Sequence, residues 1–212
     1  MYFVGLDLAW GQRKPTGVAV VDDSGRLVSA SAATDDASIR AAVATYTEGE
    51  CVVGIDAPIV VTNPNGQRPA ERALNADFAR FQAGAHPSNT GKPEFARGTR
   101  AGRLANDLDL DIDPHGGRPR RAIEVYPHAA TVALFRLGRT LKYKAKQGRS
   151  VAQLRAELLR LMEHIEGLAS ADPPLRVVDC EDWVQLRAAA EKAERKSELR
   201  RVEDPVDAVL CA

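Results

Sequence analysis

The sequence lacks the features by which several classes of protein are recognised. Its 212 residues include three cysteines, Cys51, Cys180 and Cys211. Their odd number and wide separation, without a C-x-x-C spacing, argue against a disulfide framework and a structural zinc site, so we expect buried, free thiols. No apolar run reaches the length of a membrane span, and the N-terminal stretch has no basic n-region or cleavage site. The sequence therefore predicts a cytoplasmic protein that does not interact with membranes.

Aromatic residues are also few, at 5% of the chain, which argues against a base-stacking platform for single-stranded nucleic acid. No G-x-G-x-x-G follows a predicted strand, and no G-x-S-x-G is present. The acidic run at residues 107–113 does not fit a calcium-binding loop, because Ile112 stands where the turn needs glycine and Arg118 where a glutamate belongs. We interpret this run as a solvated edge strand.

Charge is balanced overall but uneven along the chain. Lysine and arginine number 29, as do aspartate and glutamate. Residues 1–60 hold eight acids against four bases, whereas residues 118–149 hold nine bases and the single acid Glu124. This polarity suits a cation held by carboxylates beside a phosphate-bearing ligand, although a neutral protein with an uneven surface is an equal alternative.

The length predicts one domain over residues 1–212. Apolar runs, turn residues and helical spacing predict strand, strand, strand, helix and strand in the first 57 residues, at 2–9, 16–21, 27–31, 35–49 and 51–57. Residues 61–121 are rich in proline, glycine, asparagine and arginine, with one helix at about 69–82. We expect this segment to be an ordered insertion or lid over the active edge.

The remainder of the chain predicts one strand followed by helices. The strand is expected at 122–126, and the helices at 128–137, 150–168 and 182–200. Ser150 and Gln153 form a capping-box pattern at the start of the clearest helix. At the C-terminus, Asp204 and Pro205 fit an N-cap and the first position of a final helix of about two turns.

Two aspartates stand in or at the end of apolar strands. In Gly5-Leu6-Asp7 and Gly54-Ile55-Asp56 a glycine precedes each aspartate by two residues and therefore lies on the same strand face, leaving room beside the carboxylate. Buried carboxylates are costly unless they are paired or bind a metal, and few bases are nearby in sequence. Asp7 and Asp56 therefore indicate a shared divalent cation; a loop-capping role for each is the structural alternative.

Asp204 and Asp207 lie three residues apart, so on a helix both carboxylates would share a face. Helix capping and a favourable interaction with the helix dipole explain the pair equally well. Alone, this motif does not indicate a function.

The order of these elements and several short motifs resemble a known family. The motifs are GLDLAWG, TGVAVVD, VGIDAP, EVYPHAA, the pair Tyr143-Lys144 and the terminal DPVDAVLCA. They are similar to the domain-of-unknown-function 429 family, predicted nucleases of the ribonuclease H-like superfamily, and the resemblance spans Phe3 to Ala212. It implies a mixed five-stranded sheet, antiparallel over its first three strands and flanked by helices.

The resemblance also implies a two-metal site for Mg²⁺ or Mn²⁺, with Asp7, Asp56 and Asp207 as ligands and Asp204 as a possible fourth. Two metal ions activate water and stabilise the leaving oxygen in phosphodiester hydrolysis. The first helix has no internal acid, so the chain resembles the resolvase-like branch, whose acids lie in the late helix. The predicted final helix is short for the family.

Further candidates surround these carboxylates in the sequence. Glu124, Tyr126 and His128 alternate along one predicted strand, where they would supply a metal ligand, a stacking surface and a proton donor. Arg68, Arg72, Lys144 and Arg149 suit contacts with phosphate. For each of these residues a purely structural or solvated role is the alternative.

The sequence as a whole predicts a divalent-metal-dependent nuclease or phosphodiesterase acting on nucleic acid or a nucleotide-like phosphoester. Two other functions stay open. One is a phosphotransferase or ATPase related to actin and the sugar kinases, which share this strand order. The other is a non-catalytic binding module of the same fold.

Overall fold

Five strands form one mixed sheet in the order β3-β2-β1-β4-β5, in a computed structural model that describes residues 1–9 and 14–212. The central strand β1 is antiparallel to β2 and parallel to β4; β2 and β3 are antiparallel, and β4 and β5 are parallel. The strands are β1 (Tyr2–Asp7), β2 (Thr16–Asp22), β3 (Leu27–Ala33), β4 (Cys51–Ile55) and β5 (Arg120–Glu124). The predicted α/β fold with an antiparallel start is confirmed, while the end of the GLDLAWG motif lies outside the described residues.

Helices cover both faces of the sheet. Those within the described residues are α1 (Asp36–Thr47), α2 (Pro69–Phe78), α3 (Arg100–Asp107), α4 (Pro127–Leu134), α5 (Val151–Glu166), α6 (Glu181–Lys192) and α7 (Lys196–Cys211). One core packs α1 and α3 against one face, and the other packs α4 to α7 against the opposite face. Val4 and Leu6 point into the first core, so Gly5 and Asp7 point towards α7.

Local signals placed several helix boundaries correctly. Asp35 caps α1 by accepting a hydrogen bond from the backbone of Ser38 at 2.8 Å. Ser150 and Gln153 form the predicted capping box of α5. The three cysteines are buried and free, as expected. No helix in the described part of the chain is long and apolar enough to cross a membrane.

The boundaries predicted for the C-terminal helices were wrong. The expected helix at 182–200 is two helices, and α7 runs for 16 residues with Pro205 in its interior. Asp204 is therefore not an N-cap, and Asp207 is held in the middle of a regular helix. The helix continues through Pro205 because Leu199, Val202, Val206 and Val209 form one buried stripe on both sides of it.

The segment 61–121 also differs in part from its prediction. The expected helix at 69–82 ends as α2 at Phe78 and continues as a 3₁₀ turn, Ala79–Phe81. Helix α3 was not predicted. It covers the beginning of the acidic run, which was interpreted as an edge strand; beyond α3, Asp111 forms only an isolated bridge with Arg121.

Candidate functional site

The two strand aspartates lie at one edge of the sheet. Strands β1 and β4 are parallel, so their carboxyl ends meet there. Asp7 is the last residue of β1, and the backbone N–H of Asp56, directly after β4, donates to the carbonyl of Leu6 at 2.9 Å. This hydrogen bond fixes the start of the loop that carries Asp56 beside Asp7.

Helix α7 brings Asp204 and Asp207 to the same edge by lying almost directly on the sheet backbone. A Cβ atom placed at Gly5, Gly17 or Gly54 would come within 1.9 Å of an α7 carbonyl oxygen. Only glycine allows this approach, since no side chain separates helix from strand. The space expected beside the strand carboxylates is therefore filled by the α7 backbone, which places Asp207 opposite Asp7.

Asp207 is 1% exposed and is held by two groups from the loop before α5. The Tyr143 hydroxyl donates to Oδ1 of Asp207 at 2.6 Å. The Lys144 ammonium lies 2.6 Å from Oδ2 of Asp207 and 3.9 Å from Oδ2 of Asp7. A lysine therefore supplies positive charge between two of the carboxylates predicted to bind metal.

The loop that carries Lys144 is braced by Arg149. Its guanidinium donates to the carbonyl oxygens of Lys144 at 2.8 Å and Lys142 at 3.3 Å. The Lys142 N–H in turn donates to the Glu157 carboxylate of α5 at 2.6 Å. Arg149 thus holds the loop shape that points Lys144 at Asp207, while also lining the cavity described below.

Burial and mutual repulsion perturb the carboxylates. Burial, followed by repulsion from Asp207, raises the pKa of Asp7 well above its ordinary value. Burial raises the pKa of Asp56 to about 7 and that of Asp204 to about 6, although Lys144 opposes both shifts. Burial disfavours the charged form of Lys144, but Asp207 and Asp7 outweigh it and raise its pKa. The site therefore holds more carboxylate than its one close lysine neutralises.

A cavity of about 880 Å³ opens above these groups. Asp7 and Asp56 lie in its wall, which otherwise carries positive charge from five side chains: Lys14, Lys142, Lys144, Lys146 and Arg149. Acidic groups at the base of a basic cavity suit an anionic ligand that binds together with a cation. We call this space the basic cavity.

Two aromatic side chains, Tyr126 and His128, also line this wall. Tyr126 donates its hydroxyl proton to the Gly84 carbonyl at 3.0 Å, and its ring meets that of His128 edge-on at 5.9 Å between centroids. Burial lowers the pKa of His128 to about 4, so the ring is neutral at neutral pH. The structure thus brings His128 to the site, but an uncharged imidazole does not support the proton-donating role predicted for it.

The other predicted residues are placed elsewhere. Both carboxylate oxygens of Glu124 accept hydrogen bonds from Arg68, at 2.8 and 2.5 Å, and one also accepts from the Ile59 N–H. Arg68 additionally pairs with Glu71 at 2.8 Å. Arg72 is exposed and donates to the carbonyl of Gln67. None of Glu124, Arg68 and Arg72 is among the described residues that line the basic cavity.

Sequence reasoning missed Glu203 and undervalued Tyr143. Glu203 is 5% exposed, and its Oε1 has no hydrogen-bond partner within residues 1–9 and 14–212. Burial raises the pKa of Glu203 to about 7. Its position four residues before Asp207, on the same helix face, is a signal that the sequence contained. Tyr143 was noted only as a motif residue, because nothing local indicates its long-range contact with Asp207.

The donor set fits a hard divalent cation in its chemistry, since carboxylate oxygens are the ligands that Mg²⁺ and Mn²⁺ prefer. The carboxylates are, however, not positioned for metal binding in this structure. Within residues 1–9 and 14–212, no three acidic, histidine or cysteine side chains are grouped closely enough to hold a metal ion. Lys144 lies among them instead. The carboxylates would have to draw together around a cation.

Fold and site together define an α/β protein with an acidic cluster at the carboxyl edge of its sheet. Residues 5–212 match the model of one family, described as a protein of unknown function (DUF429), and the chain belongs to that family. A search of the curated proteins and of the solved structures found no match.

Proposed function

We propose that this protein is a divalent-cation-dependent phosphodiesterase or nuclease of the ribonuclease H-like type. One observation carries the proposal: carboxylates at the ends of β1 and β4 and on α7 converge beneath a cavity whose described lining includes five lysine and arginine side chains. The strand order β3-β2-β1-β4-β5, with only β2 running against its neighbours, supports the superfamily assignment implied by the sequence motifs.

Asp7 and Asp56 would hold one Mg²⁺ or Mn²⁺, with Asp204 as an additional ligand. A bound cation would neutralise the phosphate and stabilise the leaving oxygen. Because Lys144 lies against Asp207 at 2.6 Å, we assign Asp207 to positioning this ammonium rather than to a second metal ion. Lys144 would then supply, as a fixed cation, part of the charge that a second metal supplies elsewhere.

The chain's own lysines account for substrate binding, and solvent in the basic cavity carries the protons. Lys142, Lys146 and Lys14 would bind the phosphate oxygens in the basic cavity. As a ligand of the cation, Asp56 would stay deprotonated, and the attacking water would give its proton to solvent in the basic cavity. The water oxygen bonds to phosphorus, the phosphorus–oxygen ester bond breaks, and the leaving oxygen takes up a proton from solvent.

The test is an activity screen with Mn²⁺ and Mg²⁺ over single-stranded, duplex and branched nucleic acids and mononucleotide phosphodiesters. We expect turnover by the native protein and a loss of at least about 10²-fold in Asp7→Asn, as for removal of a group needed in the transition state. Asp23→Asn, an exposed aspartate in a turn, is the control. Equal turnover by Asp7→Asn and the native protein would refute the assignment.

A non-catalytic binding module is the second candidate. The ion pair between Lys144 and Asp207 favours it, because the site already has an internal cation in the absence of metal. Isothermal titration separates the two candidates. If neither Mn²⁺ nor Mg²⁺ binds and phosphate does, the binding module is supported; cation binding that Asp7→Asn removes supports the enzyme.

A further inference from the structure

A second cavity of about 340 Å³ adjoins the basic cavity. Asp56, His86 and Tyr126 line both, so the two spaces meet at the proposed reaction centre. The second cavity lies between the carboxyl ends of β4 and β5 and helix α2 of the segment 61–121. We call it the side cavity.

Three charged side chains in the side cavity are paired with one another. Arg68 lies between Glu71 and Glu124, at 2.8 and 2.5 Å. Glu71 is 4% exposed and also accepts hydrogen bonds from the N–H groups of Arg68 and Ser88, at 2.9 and 3.1 Å. Because Arg68 is already paired with two carboxylates, the described residues of this cavity offer a phosphate no unpaired lysine or arginine.

The remaining wall is mostly apolar. Its apolar members are the side of Tyr126 together with Ala57, Pro58, Ala70, Leu74, Ala85 and Val125, and its polar members are Asp56, His86 and Ser88. The wall is also built from fixed contacts, since Asn75 of α2 donates to the Ala85 carbonyl at 3.0 Å and Tyr126 donates to that of Gly84. A preformed apolar space of this volume is at the small end of the range for ligand pockets, sufficient for one compact group.

We propose that the side cavity is the subsite for the uncharged organic group of a small phosphoester, whose phosphate binds in the basic cavity. The substrate would be a phosphate ester of a single compact, flat or apolar group, such as an aryl group or one nucleoside. This inference rests on the proposed function, because it assigns the phosphate to the basic cavity. It disfavours the interior of a long duplex, which has no free group of this size to insert beside Asp56.

The experiment fills the side cavity from α2. Ala70 is exposed and lines the cavity, so Ala70→Trp adds volume there without disturbing a core. Ala73→Trp is the matched control, because Ala73 is an exposed alanine of the same helix that does not line the cavity. Isothermal titration with Mn²⁺ present measures inorganic phosphate and p-nitrophenyl phosphate with each protein.

We expect the native protein to bind p-nitrophenyl phosphate about tenfold more tightly than inorganic phosphate, as burial of one ring allows. Ala70→Trp should reduce this ratio to below about threefold and leave phosphate binding unchanged. Ala73→Trp should behave as the native protein does. A native ratio near one, or a ratio that Ala70→Trp does not change, would overturn the subsite.

Turnover distinguishes failure of the subsite from failure of the proposed function. If the aryl preference responds to Ala70→Trp but no ester is hydrolysed, the subsite stands and the catalytic proposal fails. If phosphodiesters are hydrolysed equally by the native protein and Ala70→Trp, the catalytic proposal stands and the subsite fails. Failure of both anions to bind would overturn the subsite and the phosphate assignment together.

Discussion

Asp56 and Asp207 belong to one acidic cluster, yet we expect their loss to change the stability of the fold in opposite directions. Asp56 is partly buried and forms no ion pair with any described residue, whereas Asp207 holds Tyr143 and Lys144. The perturbations are Asp56→Asn and Asp207→Asn. Both keep the size of the side chain and remove its charge.

The expected change in the free energy of unfolding for Asp56→Asn follows from the pKa of Asp56. Burial raises this pKa from 3.8 to about 7, which corresponds to at most about 4 kcal/mol favouring the protonated form in the folded protein. The folded state therefore binds the proton more tightly than the unfolded state, and stability present below about pH 4 is lost as the pH rises to about 7. Asparagine resembles the protonated acid, so Asp56→Asn should stabilise the metal-free protein by about 1–3 kcal/mol at pH 7.5 and by little at pH 4.

The expected change in the free energy of unfolding for Asp207→Asn follows from the groups that contact Asp207. Asparagine can still accept the hydrogen bond from Tyr143, but it removes the ion pair with Lys144 and leaves that ammonium with Asp7 at 3.9 Å. Breaking a buried ion pair costs several kcal/mol. The Lys144 side chain is 34% exposed, which reduces the cost, and we expect Asp207→Asn to destabilise the fold by about 1–3 kcal/mol at pH 7.5.

Urea denaturation in chelator at pH 4 and pH 7.5 measures both effects. His128 contributes the opposite pH dependence, because its lowered pKa makes the folded protein lose stability as the pH falls below 6.5, and the native protein and Asp56→Asn share this contribution. Asp207→Asn is compared with the native protein at pH 7.5 alone, because the Asp207 charge itself raises the pKa of His128. The reasoning would be refuted if Asp56→Asn destabilised the protein at pH 7.5, or if its effect were the same at both pH values.

Three further outcomes test the site. Gly5→Ala should destabilise the fold by more than about 3 kcal/mol in urea denaturation, because its Cβ would overlap an α7 carbonyl, whereas Gly49→Ala, with open space around it, should change stability by less than about 1 kcal/mol. Mn²⁺ affinity measured by calorimetry should rise between pH 5.5 and 7.5, since Asp56 and Asp204, with pKa values of about 7 and 6, must lose protons to bind; a flat profile would contradict their role as ligands. Lys144→Met should bind Mn²⁺ more tightly than the native protein, because it removes a cation that competes for the same carboxylates, while its metal-free form should be less stable. Weaker Mn²⁺ binding would mean that this lysine does not compete with the metal.

The strands could be predicted because their signals are local. The runs around Asp7 and Asp56 are apolar on both faces, as buried strands are, and Asp22 to Gly25 form a turn that fixes the β2–β3 hairpin. The placement of both aspartates at one edge follows from the parallel pairing of β1 and β4. For these elements, sequence pattern and tertiary packing agree.

Helix α7 could not be placed by local rules, because they conflict with its packing. Pro205 normally marks a helix start, yet here it lies within a helix whose burial against the sheet outweighs the missing hydrogen bond. The buried stripe of Leu199, Val202 and Val206 is present in the sequence, but Asp204 and Pro205 match the start of a helix and predict a boundary there.

The sequence indicates that Lys144 is a candidate for binding phosphate, but it does not predict where Lys144 lies in the fold. It lies in an irregular segment whose shape depends on Arg149 and on the Glu157 carboxylate. No periodicity describes such a segment, so its contact with Asp207, 63 residues later in the chain, appears only in three dimensions. The same holds for Arg68, whose pairing with Glu124 joins the insertion to the last strand.

The main-chain contact between α7 and the three sheet glycines has a consequence for how the protein can change. Backbone atoms of α7 and of the strands set the distance between the helix and the sheet. Replacing an apolar side chain in either core should therefore change the free energy of unfolding without changing this distance. We therefore expect the separation of Asp7 and Asp207 to change little when core side chains are replaced.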